Sequence, residues 1–145
     1  MLYDAADQPG ARSPAELRAA YEDELRTVIE ERGVDAVAAA TDVDAETVSV
    51  LAAGDSPDLT LAEAAAILAV DGTYPSADGI VAEVRDHLLM GMTTGVLDVD
   101  TVASNLGDGV DLSGQEVQQA IEGRNQMTLS ELAAIHRVIA ARNDR

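Results

Sequence analysis

Apolar residues recur three and four apart along most of the chain, a spacing that predicts helices. Leu17, Tyr21, Leu25, Val28 and Ile29 form the first stripe. Ser13 caps it, Pro14 takes the first helical position, Glu16 completes a capping box and Gly33 ends it. The acids between the apolar positions, Glu22, Asp23, Glu24, Glu30 and Glu31, read as a solvated face. Ile80, Val81, Val84, Leu88, Leu89 and Met92 form a second stripe, which Thr93-Thr94-Gly95 should break. A short helix is expected after Asp98 or Asp100. Leu129, Leu132, Ala133, Ile135 and Ile139 form the last stripe, before a tail, Arg142 to Arg145, expected to fray. No segment alternates convincingly as a strand would, so the fold class expected is all-α.

Two stretches share one grammar. Residues 43–68 read VDAETVSVLAAGDSPDLTLAEAAAIL and residues 112–136 read LSGQEVQQAIEGRNQMTLSELAAIH. Val43, Val48, Gly54, Thr60, Leu61 and Glu63 align with Leu112, Val117, Gly123, Thr128, Leu129 and Glu131, with one residue deleted in the loop. In each, a capping residue (Asp44, or Ser113 with Glu116) opens a short helix that a glycine closes. A second capping box, Thr60-x-x-Glu63 or Thr128-x-x-Glu131, then opens the next helix. The chain is therefore read as two helical units of about four helices each, packed into one compact body. Residues 13–72 form the first unit and residues 80–145 the second. A linker spans residues 73–79, around the breaker cluster Asp71-Gly72-Thr73-Tyr74-Pro75-Ser76. Residues 1–12 lack periodicity and are expected to be a flexible arm.

These residues resemble the lambda-repressor-like (Cro family) helix-turn-helix. Gly33 to Val43 resembles its leading helix and turn, and Asp44 to Ala53 its recognition helix. Val102 to Leu106 resembles the second leading helix, with a longer turn over Gly107 to Asp111. The resemblance covers residues 33–70 and 98–140. It implies that the second helix of a pair enters the major groove of DNA and presents its early exposed residues to base edges.

Charge alters how that implication is weighed. The chain has 27 acidic residues, 9 Arg and no Lys, for a net charge of −18. This balance resembles the proteomes of extremely halophilic archaea, and the chain as a whole resembles small uncharacterised acidic haloarchaeal proteins. In such a protein an acidic surface reads as solubility in brine. The first unit's candidate reading helix offers Ala45, Glu46 and Ser49, with nothing basic nearby to hold phosphates. The second offers Gln115, Gln118 and Gln119, and glutamine pairs two-pronged with adenine. Arg124 and Asn125 follow in the loop and Arg137 lies on the last helix. These six residues are the candidate DNA-binding set, with double-stranded DNA the partner.

A second reading stays open, that of a protein-interaction or dimerisation module, pairing with itself or another protein, which has lost DNA binding. Ala36, Ala38, Ala39, Ala40, Ala64, Ala65 and Ala66 would allow close helix packing, against a partner or between the two units.

The residues give no support for catalysis. With no Cys there is no thiolate nucleophile, thiolate metal site or disulfide. His87 and His136 are far apart in sequence and flank apolar stripes, so they read as half-buried packing residues. Met90 and Met92 read as core filling. The Asp pairs 98/100 and 108/111 lack the glycine and terminal Glu of a calcium loop. Leu106-Gly107-Asp108-Gly109-Val110 resembles the turn of a helix-hairpin-helix, with its glycines displaced. No metal, cofactor or catalytic residue is expected. No apolar run is long enough to span a bilayer and no leader pattern opens the chain, so the cytoplasm is the expected location.

Overall fold

The computed structural model describes residues 1–74, 76–107 and 109–144. Among them the regular structure is helical, as the spacing predicts. Two short 3-10 turns, Leu2–Asp4 and Pro9–Ala11, precede eight α-helices. These are α1 (Pro14–Arg32), α2 (Val34–Ala40), α3 (Ala45–Ala52), α4 (Leu61–Ala69), α5 (Ala77–Gly95), α6 (Val99–Ser104), α7 (Gly114–Glu122) and α8 (Leu129–Asn143). The predicted capping boxes form at Ser13, Thr60, Ser113 and Thr128, and each N-cap hydroxyl accepts from the backbone N–H three residues on.

The N-caps also join the two halves. An N-cap residue holds extended dihedrals, and Thr60 (φ −84°, ψ 161°) and Thr128 (φ −80°, ψ 163°) do so at equivalent places in the repeat. Extended backbones can pair, and these two form an isolated antiparallel bridge. Leu61 N–H donates to Met127 O at 2.6 Å, and Leu129 N–H donates to Leu59 O at 2.9 Å. Equivalent residues thus exchange equivalent bonds, as across a local two-fold axis. The helices obey the same exchange. α1 packs on α8 and its counterpart α5 packs on α4, while within each half α1 packs on α4 and α5 on α8. One core serves both halves and takes Leu17, Leu25, Val48, Leu51 and Ile67 from one, and Ile80, Leu88, Val117, Ile121 and Ile135 from the other.

Several expectations are corrected. The first twelve residues are not a loose arm. Leu2 is fully buried, Tyr3 stacks on His87, and the Met1 ammonium donates to the Tyr74 hydroxyl at 2.8 Å and lies 3.4 Å from Glu24. Gly10 sits so close to the Ala141 backbone that a Cβ would overlap it. One anchoring leucine and one close-approach glycine produce no periodicity, so a periodic reading misses them. Thr93-Thr94-Gly95 does not break α5, which runs to Gly95 and ends where Val96 turns left-handed at φ 53°. Thr93 folds its hydroxyl back onto Leu89 O, and Gly91 and Gly95 act as packing glycines against Ile139 and Arg142 of α8. The same contacts pin the tail as far as Asn143, because Arg142 donates to Gly95 O and Asn143 to Gly91 O. Arg145 lies outside the described residues.

The linker is shorter than expected, since Ser76 already caps α5; Pro75 lies outside the described residues. Glu22 is not solvated. It is buried, accepts from the Ser56 hydroxyl at 2.8 Å and lies 3.4 Å from Arg18 Nε. Arg18 in turn donates to Ser130 Oγ and Pro57 O, tying the first unit to α8. Met92 joins the core, but Met90 is 69% exposed. Ala64 and Ala65 of α4 are buried in the seam, whereas Ala36, Ala39 and Ala40 of α2 are exposed. Asp108 lies outside the described residues, and with it the centres of the Asp108/Asp111 pair and of the helix-hairpin-helix resemblance.

Candidate functional site

α7 is amphipathic in a way the other short helices are not. Val117, Ala120 and Ile121 face the core, and the opposite face carries only polar side chains. Gly114 at its first turn packs against Asp100 of α6 with no room for a Cβ. The helix therefore lies flush on α6, and its outer face is left free. Gly123 ends α7 in the left-handed region at φ 81°. The chain then leaves over Arg124, Asn125 and Gln126, all exposed.

Five of the six sequence-predicted residues lie together on this surface. Gln115 and Gln118 are exposed and Gln119 is partly so. They belong to a loose network in which Gln118 Nε2 donates to Glu122 Oε1 at 2.9 Å and Asn125 Nδ2 donates to Gln119 Oε1 at 2.8 Å. Arg124 pairs with Glu122 at 3.0 Å. Each bond is solvent-exposed, so breaking it costs little and the amides are free to exchange partners. Arg137 is not part of this surface. It lines a separate notch with Leu97, Thr101, Asn105 and Arg142, between α6 and α8.

Sequence reading missed Arg85. This α5 residue lays its guanidinium against Gly123, where a Cβ would overlap it. It thereby adds a fourth cationic or amide group to Arg124, Asn125 and Gln126 of the loop that follows α7. No spacing rule could have found it, because α5 and the loop meet only in the folded chain.

A second cluster unites the two histidines that are distant in sequence. The Tyr21 hydroxyl and His136 Nδ1 are 2.6 Å apart, His87 meets His136 edge to face at 5.8 Å, and Tyr3 stacks on His87 at 4.1 Å. His136 is buried and His87 exposed, so neither is half-buried as the sequence reading had it. His136 Nε2 is buried without a hydrogen-bond partner. Burial, with His87 adjacent, pushes the His136 imidazole down to about 4, so it is neutral at physiological pH. The Tyr21 hydroxyl has no other acceptor among the described residues. It is assigned as donor to Nδ1, which puts the imidazole proton on Nε2. Burial also pushes the Tyr21 phenol upward, and the partial desolvation of His87 by its aromatic neighbours pushes its imidazole downward. Among the described residues no group of three or more His, Asp or Glu could hold a metal ion, and no helix is long and apolar enough to cross a membrane.

Fold and surface together define a helical protein whose two halves exchange equivalent contacts and of which one exposes an amide-rich helix. The chain belongs to a family of unknown function (DUF5791), whose model matches residues 17–142. No curated protein and no solved structure matches it.

Proposed function

We propose that this is a non-enzymatic, helix-turn-helix-like protein of a brine-filled cytoplasm, and that it binds double-stranded DNA as a transcriptional regulator through α7. The observation that carries the reading is the outer face of α7. Gln115, Gln118 and Gln119 follow one another along it, and Arg124 and Asn125 sit at its end. Glutamine amides can pair two-pronged with adenine, and the loop cations would meet phosphates. The first half is scaffold in this reading, because α3 presents Glu46 and no cation at the matching positions.

Binding of a mixed duplex pool, followed by fluorescence anisotropy, tests the reading. Arg124→Glu should weaken binding at least tenfold, while Arg137→Glu, in its separate notch, should leave it within twofold. Equal loss in both variants would mean that general charge, and not this surface, governs binding.

The alternative, a protein-interaction or dimerisation module that has lost DNA binding, is favoured by a different observation. Leu89, Met90 and Val96 on α5 and its C-terminal cap are exposed, Met90 at 69% and Val96 at 83%. Such apolar exposure suits a protein partner, whether a second copy or another chain.

A further inference from the structure

Nine arginines serve a chain with 27 carboxylic acids, so most guanidinium groups should find a carboxylate or carbonyl. In the first half all do. Arg12 reaches Glu16, Arg18 reaches Glu22, Arg26 reaches Asp23, and Arg32 reaches Asp71. Arg85 does not. Among the described residues it has no hydrogen-bond or ion-pair partner, a state it shares with Arg137, although Glu83 and Asp86 are its neighbours on α5.

Its guanidinium instead lines a notch of about 200 Å³ at the seam between the halves. Thr60 and Met127 from the inter-unit bridge line it together with the apolar Leu61, Val81 and Ala120 and with the loop Gly123 to Gln126. Among the described residues no carboxylate lines it. In a chain of net charge −18, a recess lined by two arginines, two amides and no acid departs from the general charge; the Arg137 notch also holds two arginines and no acid, but there Arg142 is already engaged with Gly95 O. Gly123 makes it possible twice over, since its φ of 81° turns the loop and its missing Cβ admits the Arg85 planar group.

We propose that this notch is an oxyanion site in which Arg85 and Arg124 grip a phosphate-type group. Guanidinium forks match such oxygens two-pronged. Arg124 is presently turned to Glu122, but that pair is exposed and weakly held, so Arg124 is free to turn inward. The recess is smaller than the roughly 300 Å³ at which sites for drug-sized ligands begin, which fits one small anionic group. The phosphate is either free or part of a nucleic-acid backbone lying across the end of α7. The site does not require that α7 read bases, and only the second source rests on the DNA reading.

The test is side-chain Nε–H and backbone amide NMR at the lowest potassium chloride concentration that keeps the chain folded, titrated separately with inorganic phosphate and with a short duplex. Saturable shifts at Arg85 and at Gly123 to Gln126 are the expected result, with the affinity read at Gly123 to Gln126 at least fivefold weaker in Arg85→Gln and unchanged in Arg137→Gln. Response to phosphate alone makes a free oxyanion the ligand. Response to the duplex, with or without phosphate, makes the backbone the source. No saturable response to either, or one that survives in Arg85→Gln with its spectrum otherwise intact, overturns the proposal. A Gln115, Gln118, Gln119 triple alanine variant that loses sequence preference but keeps the phosphate response separates failure of base reading from failure of this site.

Discussion

Leu68 and His136 hold equivalent positions in the two capping-box helices, and Tyr21 and Val84 hold equivalent positions in the two long ones. Where α4 and α5 bury a leucine and a valine, the equivalent pair α8 and α1 buries a hydrogen-bonded histidine and tyrosine. The polar pair has a cost that depends on pH. An unfolded chain's histidine takes up a proton near 6.5, but folded His136 resists until about 4. Between those values the unfolded state binds more protons, so stability falls as pH falls through that window and is fully present above it. Comparing the wild type with His136→Leu removes the carboxylate titration common to both. The stability advantage of the wild type should shrink by roughly 2–3 kcal/mol between pH 7 and pH 4, read by urea unfolding. An advantage that is flat with pH would mean that His136 is not held neutral. The repeat alignment held a signal for this residue, since a histidine opposite a buried leucine must itself be buried, but helical spacing alone put it at the edge of a stripe.

At the scale of elements, local chemistry was the most readable part. Ser13, Thr60, Ser113 and Thr128 announce their helices because a capping box depends only on residues three apart. What spacing could not reveal was any feature decided by a neighbour distant in sequence. Glu22 looks like part of a solvated face until Arg18 and Ser56 close over it. Thr93-Thr94-Gly95 looks like a break because glycine weakens an isolated helix, yet α8 packs against that glycine. The candidate surface divides the same way. The five residues of α7 and its loop were legible because they are consecutive on one helix and its exit, whereas Arg137 was grouped with them wrongly and Arg85 was missed. The packing role of Gly91 is testable. Alanine favours a helix by about 1 kcal/mol over glycine in isolation, but here its methyl would overlap Ile139. Gly91→Ala should therefore destabilise by about 1–3 kcal/mol in urea unfolding at neutral pH. A gain in stability would show that α5 and α8 are less tightly seated than described.

Across the whole molecule, the two halves meet through equivalent N-caps, paired at the centre by the hydrogen bonds of their flanking residues, and share one core. That arrangement frees the halves to diverge on their outer faces. The first carries 16 acids and 4 Arg over residues 1–72, and residues 113–145 balance 4 acids with 4 Arg. Divergence of this kind suits a scaffold half and a contacting half. At about 1 M salt the difference would gain weight, since charges farther apart than roughly 3 Å are screened and the short-range contacts of amides and paired arginines decide binding. The most direct test is selection from a random duplex library at about 2 M potassium chloride, with the Gln115, Gln118, Gln119 triple alanine variant run beside the wild type. An enriched, adenine-containing motif that disappears in a variant of unchanged fold is the predicted result. A folded wild-type protein that enriches nothing, or a motif that the variant enriches equally well, would contradict the assignment of α7 as a DNA-reading helix.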